Sequence, residues 1–200
     1  MSPINPHENQ QIHRPTIRPI YVVVGYLDEY FGGRRPPLNG AIEHFHLNEV
    51  SQADAFAIDL EALRAEHAIE AAIERFVQDG HTYFRCDPLA ALIERFYAVP
   101  IPSEPPRQSI REDHFAPLTS IHLSSGCFDD RIAFVLGAYR RAGNAMTIRL
   151  ANATHKASLL ANVLRAIGCP KVRWTWQGAG APAVNEIEFE PSKDLAALLL

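Results

Sequence analysis

Cysteine is scarce in this chain: Cys86, Cys127 and Cys169 are the only three in 200 residues, an odd number spread far apart. That spacing argues against a disulfide framework and against a four-thiolate zinc site. Lysine is equally rare, with Lys156, Lys171 and Lys193 alone, so arginine carries most of the positive charge. No run approaches the roughly 18 consecutive apolar residues that a membrane-spanning helix requires. The first 19 residues hold prolines, histidines and amides. They lack an apolar core of the roughly 7–15 residues found in a secretory signal. The expected location is therefore the cytoplasm, where thiols stay reduced, with no membrane partner and no cofactor.

The composition present is that of a folded protein, 47% hydrophobic and 21% charged with a net charge of −4. That hydrophobicity exceeds what disordered chains show, and the length suffices to bury a core without metal or disulfide staples. Four segments are expected. They are a flexible tail over 1–19, an acidic half over 20–98, a proline-rich linker over 99–117 and a basic half over 118–200. The two halves form either one domain or two small ones, and no internal repeat is apparent.

Charge separates the halves. Residues 1–98 contain 8 arginines, no lysine and 14 carboxylates, whereas residues 99–200 contain 11 basic and 9 acidic side chains. From Arg131 through Asn185 there is no Asp or Glu, yet eight cations fall in that stretch. They must meet solvent, the acidic half or an anionic partner. The helix expected around Glu61, Glu66, Glu70 and Glu74 is the compensating candidate.

Periodicity predicts a mixed α/β or α+β fold. Residues 20–26 (IYVVVGY) are β-branched and aromatic, which predicts a buried strand. Residues 31–37, with paired Gly and paired Pro, predict a loop. Strands are expected at 41–47 and 55–60, although Ser51 offers an earlier helix start. A helix follows from Asp59 to a stop at Gly80, then a strand over 81–86 and a helix opened by Asp87-Pro88. The C-terminal half is expected in the order β-α-β-α-β-β-α, its helices packed on a mixed sheet. Its elements are a strand over 118–123, a helix over 128–142, a strand over 145–150, a helix from Thr154, strands over 172–176 and 186–190, and a short helix from Ser192. Such alternation favours parallel strands joined by crossovers. The terminal LAALLL run is a candidate oligomer contact.

Parallel strands would gather three loops at one sheet edge, where open α/β sheets bind ligands. Ser124, Ser125 and Gly126 follow the first strand, Asn152, Thr154, His155 and Lys156 the second, and Gly178-Ala179-Gly180 the third. Two of these loops open helices, whose free N–H groups attract anions. Cations in the first helical turn oppose the dipole, so His155 and Lys156 fit a bound phosphate or carboxylate. The plain alternative is that Thr154 caps the helix and the basic side chains extend into water. No phosphate-binding glycine motif accompanies them. Cys127, just before a helix, is the candidate nucleophile and His155 its candidate partner, although Asp129 and Asp130 oppose a thiolate. His44 and His46 share a strand face and are weak metal ligands without a clear third.

Three functions are compatible with these features. The leading one is binding of an anionic small molecule or nucleotide at the C-terminal loops, with enzymatic activity open. The second is a protein-interaction or regulatory module that docks an acidic partner. The third is nucleic-acid binding through the basic 131–173 surface, where Trp174 and Trp176 share a strand face with cations nearby.

Overall fold

The computed structural model describes residues 14–27, 41–96, 123, 126–151, 153–177 and 184–199. The loop expected at 31–37, the linker at 99–117, Ser124, Ser125, Asn152 and the Gly178 to Gly180 loop lie outside the described residues. So does residue range 1–13 of the expected tail. Its last residues run along the protein instead: the Thr16 N–H donates to Asp129 at 2.9 Å and Arg18 pairs with Asp130.

Residues 20–26 are helical rather than extended. Helix α1 spans Pro19–Tyr26, and every residue from Ile20 onward is buried. Pro19 sits in the first turn, where its missing N–H costs nothing. A helix enclosed on all sides needs apolar residues all round, so its periodicity disappears and β-branched composition imitates a strand.

The strand expected at 55–60 is the interior of α2, Val50–Glu66, whose buried face is Ala53, Phe56, Leu60 and Leu63. That helix does not run to Gly80. It ends where Ala68 adopts a left-handed φ of 49° and the Ile69 N–H donates to the Arg64 carbonyl. An alanine in this position carries none of the glycine signature of a helix stop.

Residues beyond it pair as strands β2, Glu74–Gln78, and β3, His81–Arg85. Asp79 and Gly80 join them with φ of 49° and 78°. Two positive φ values in a two-residue loop are what an Asp-Gly hairpin turn supplies. Nothing lies within 4 Å of a Cβ placed on Gly80, so Gly80→Ala tests backbone strain alone. It is expected to cost about 1 kcal/mol in thermal or urea melts, with Gly80→Asn costing less.

The remaining elements are β1 at Ala41–His46, α3 at Asp87–Glu94, α4 at Phe128–Ala142, β4 at Gly143–Asn144, β5 at Thr147–Ala151, α5 at Thr154–Ala166, β6 at Arg173–Gln177, β7 at Val184–Glu188 and α6 at Lys193–Leu199. The helix expected over 128–142 is present with Asp129 and Asp130 at its start and Arg140 and Arg141 at its end. Of the strand expected over 118–123 only Leu123 is described, and its backbone is helical.

Both sheets are antiparallel throughout, in the orders β1-β3-β2 and β4-β5-β7-β6. The mixed helix-and-strand class stands; the parallel pairing does not. β5 and β6 do point the same way across the α5 crossover, but β7 lies between them and pairs antiparallel with each.

An internal repeat, unseen in the sequence, organises the whole. After α1 the described chain contains strand, helix, strand, strand and helix; after α4 the same order follows the added two-residue strand β4, and the three corresponding strands assemble in the same order, β1-β3-β2 and β5-β7-β6. Helices α1 and α4 lie parallel, with Arg18 beside Asp130 at one end and Tyr26 beside Arg140 at the other. They touch through glycine. A Cβ on Gly25 would meet the Phe134 carbonyl, and one on Gly137 would meet the Val22 carbonyl. Gly25 and Gly137 are 112 positions apart, as are Val22 and Phe134. Reciprocal contact at one offset is the mark of an approximate two-fold axis. Around it one continuous apolar core runs from Ile20 to Leu195.

Candidate nucleic-acid interface

Each sheet buries one face and leaves the other without a described element packed on it. In sheet 1 the inward residues are Phe45 and Phe84, which meet Phe56 of α2 at ring separations of 5.2 and 5.3 Å. In sheet 2 they are Ile148, Leu150 and Ile187, all fully buried, together with the buried amide of Asn185. Strand alternation then turns the intervening side chains outward.

The two outward faces differ chemically. On sheet 2, Arg149 donates to Glu186 across the strands at 2.8 Å. Arg173, Thr175 and Gln177 line the neighbouring strand, all exposed. Near one end Arg149, Ala151, Gln177, Val184 and Glu186 surround a hollow of about 390 Å3. On sheet 1 the outward side chains form an aromatic and imidazole row. Arg85 lies 4.9 Å over the Phe76 ring, Phe76 stacks on Tyr83 at 5.3 Å, and Tyr83 stacks on His44 at 5.6 Å. His81 then contacts His44 at 4.9 Å and His46 at 4.2 Å.

The shared strand face expected for His44 and His46 is therefore present, and sequence reading missed its third member, His81. The direct register of His46 with His81 explains the contact. His44 meets His81 edge-on, and His46 meets it at a tilt. Among the described residues no group of three or more His, Cys, Asp or Glu side chains could hold a metal ion.

Four of the eight cations in the carboxylate-free stretch pair with carboxylates. Arg140 pairs with Asp59 at 2.6 Å and Arg141 with Glu49 at 3.5 Å, both in the acidic half. Arg149 pairs with Glu186 and Lys171 with Glu190. Burial and the charge of Asp59 push the Tyr26 hydroxyl well above the usual tyrosine range, so it stays protonated beside the Arg140–Asp59 pair. Arg173 is exposed and has no carboxylate partner among the described residues.

Of the loop residues expected to hold an anion, Gly126, Thr154, His155 and Lys156 are among the described residues. Gly126 is half-buried ahead of α4. Lys156 turns inward: it is fully buried, and its ammonium donates to the Leu27 carbonyl at 3.3 Å. Thr154 and His155 open α5 as expected. Cys127 occupies the N-cap of α4, exposed, with its N–H donating to Asp130 at 3.3 Å. Trp174 donates to Asn185 at 3.1 Å on the inward face, while Trp176 beside it is 60% exposed at the sheet edge. The tryptophan pair thus belongs to the packed side of sheet 2, not to its open face. In the terminal LAALLL run Leu195 is buried and Leu198 and Leu199 pack on the core.

No family model and no curated protein matches this chain. Solved structures do. Mesophilic variants of the homing endonuclease I-DmoI align at a TM-score of 0.52 and 15% identity, over 91% of this chain and 95% of theirs. I-DmoI in complex with DNA and calcium aligns at 0.52 and 13% identity, over 91% and 89%. A variant bound to its target DNA in the presence of magnesium aligns at 0.52 and 14% identity, over 85% and 90%. The chain shares that fold.

Proposed function

We propose that this protein binds double-stranded DNA across the outward faces of its two sheets. The observation that carries the reading is the pair of unpacked faces, related by the two-fold repeat and lined by Arg149, Arg173, Thr175 and Gln177 on one side and Arg85, Tyr83 and three imidazoles on the other. Twisted antiparallel strands are established readers of DNA grooves, with arginine and glutamine suited to base edges and phosphates. The shared fold supports the same reading, since I-DmoI has been solved with DNA. The carboxylate-free segment contributes through its strands and not as a continuous basic surface, because four of its eight cations pair with carboxylates and Lys156 is buried.

Divalent cations accompany DNA in two of those structures. Among the described residues here no cluster could hold one, and the last turn of α4 presents Arg140 and Arg141, each paired with a carboxylate.

Fluorescence anisotropy with labelled duplex DNA tests the reading. Binding is expected at low salt and should weaken steeply as salt rises. Arg149→Ala combined with Arg173→Ala should weaken it about tenfold and reduce the salt slope by roughly 1–2. Both side chains are exposed, so the variant should fold. Absence of binding at low salt overturns the proposal, as does binding that this double variant leaves unchanged.

A further inference from the structure

On the outward face of sheet 1 the charge is not fixed. Its fixed cation, Arg85, lies at the far end of the row and pairs with Glu74 at 3.6 Å. The other end is made of His44, His46 and His81, whose rings touch at 4.2 and 4.9 Å. We infer that this cluster is a proton-linked phosphate contact: DNA binding draws protons onto the imidazoles, and affinity rises as pH falls. The inference rests on the proposed DNA-binding face and assigns its regulation.

The geometry specifies where a proton goes. The Asp79 carbonyl lies 2.9 Å from Nδ1 of His81 and can accept only from an N–H, so Nδ1 carries hydrogen. Nε2 of His81 is then the basic site. The Glu43 carboxylate, buried on the inward side, lies 3.7 Å from Nδ1 of His44 and favours its protonated form. Arg141 of α4 donates to the His44 carbonyl and opposes that charge, but it is itself paired with Glu49. Glu49, just before α2, also accepts the His46 N–H at 2.7 Å. Across the sheet His81 pairs with the neutral Gln78 of β2, and Tyr83 stacks beside His44.

Like charges at these ring separations oppose one another. A phosphate oxygen placed over them removes that opposition. Histidine is the side chain whose ordinary titration falls in the physiological range. A phosphate bound over the cluster favours the charged rings over the neutral ones. The added affinity thus grows as pH falls and is lost as pH rises.

The test is anisotropy of the full chain with duplex DNA of mixed sequence, from about pH 5.5 to about pH 8 at constant salt. Affinity is expected to rise about tenfold or more between the upper and lower limits, with uptake of about one or two protons per complex. Calorimetry in two buffers of different ionisation enthalpy counts those protons. The salt slope should be steeper at the acid end by roughly 1–2. His44→Gln, His46→Gln and His81→Gln together should flatten the pH profile, and His46→Gln alone should do so in part without disturbing a buried side chain. His67→Gln, at the end of α2 and away from the cluster, should keep the wild-type slope. Binding that is flat with pH, or a slope that survives the triple variant, overturns the inference and leaves DNA binding standing. Absence of binding at every pH overturns both.

Discussion

Gly137→Ala is expected to destabilise the protein by roughly 3 kcal/mol or more, and Gly137→Val to prevent folding. The new Cβ would coincide with the Val22 carbonyl and crowd the Cα of Gly25. Both obstacles are backbone atoms of a buried helix, which cannot rotate away as a side chain would. Relief requires α1 and α4 to move apart, and that opens the apolar core on both sides of the axis. Reciprocity makes Gly25→Ala an equivalent test, since its Cβ would meet the Phe134 carbonyl. Gly168→Ala is the control. Its φ of 78° strains an alanine but nothing lies within 4 Å, so the expected loss is about 1–2 kcal/mol. Urea denaturation distinguishes these cases. A Gly137→Ala protein within about 1 kcal/mol of the parent would show that the helices do not meet through glycine.

The same two glycines are the most readable trace of the repeat. Three apolar residues before a glycine occur at Val22 to Gly25 and again at Phe134 to Gly137. The signal is short, and the next residues at the same offset carry opposite charge: Asp28 and Glu29 in the first copy, Arg140 and Arg141 in the second. The two segments differ in charge at those positions, while the backbone contact between them still requires glycine. The second half is the more legible because α5 is amphipathic and α4, although buried all round from Ile132 to Ala138, carries acidic residues at its start and basic ones at its end. α1 has no exposed face, and its strand-like composition conceals a helix.

Legibility of the candidate interface obeys the same rule. Same-face placement of His44 and His46 comes from strand period alone. His81 is a partner across the sheet, and its register depends on a hairpin at Asp79-Gly80 whose glycine reads equally well as a helix stop. The eight cations between Arg131 and Arg173 suggest a basic surface because a linear count sees only neighbours in the chain. In space Asp59 lies 81 positions from Arg140 and still forms its ion pair. Exposed pairs of this kind contribute little to stability, but they decide which positive charges remain for a polyanion. Arg173, exposed and without a carboxylate partner among the described residues, is the one left free to meet it, whereas Arg149 is shared with Glu186 across the strands.

Lys156→Ala is expected to lower stability by roughly 4 kcal/mol, and Lys156→Met by about half as much. Position in the sequence makes this lysine the cation of an anion site, whose loss would abolish phosphate-induced stabilisation. Its seat in the structure predicts otherwise. The side chain is fully buried, and its ammonium donates to the carbonyl of Leu27, the C-cap residue of α1. The carbonyl end of a helix carries partial negative charge, so a cation there is favourable. Alanine removes both the donor and the packed stem, leaving a cavity beneath α5. Methionine retains most of the stem and loses the charge-assisted hydrogen bond, worth about 1.5–3 kcal/mol. The difference between the two variants therefore isolates packing from electrostatics. Thermal melts with and without phosphate complete the test: the baseline melting temperature should fall in both variants while any phosphate-induced shift stays that of the parent. A Lys156→Ala protein with unchanged baseline stability and a lost phosphate response would show that the side chain faces an anion, and that the lysine does not hold the end of α1.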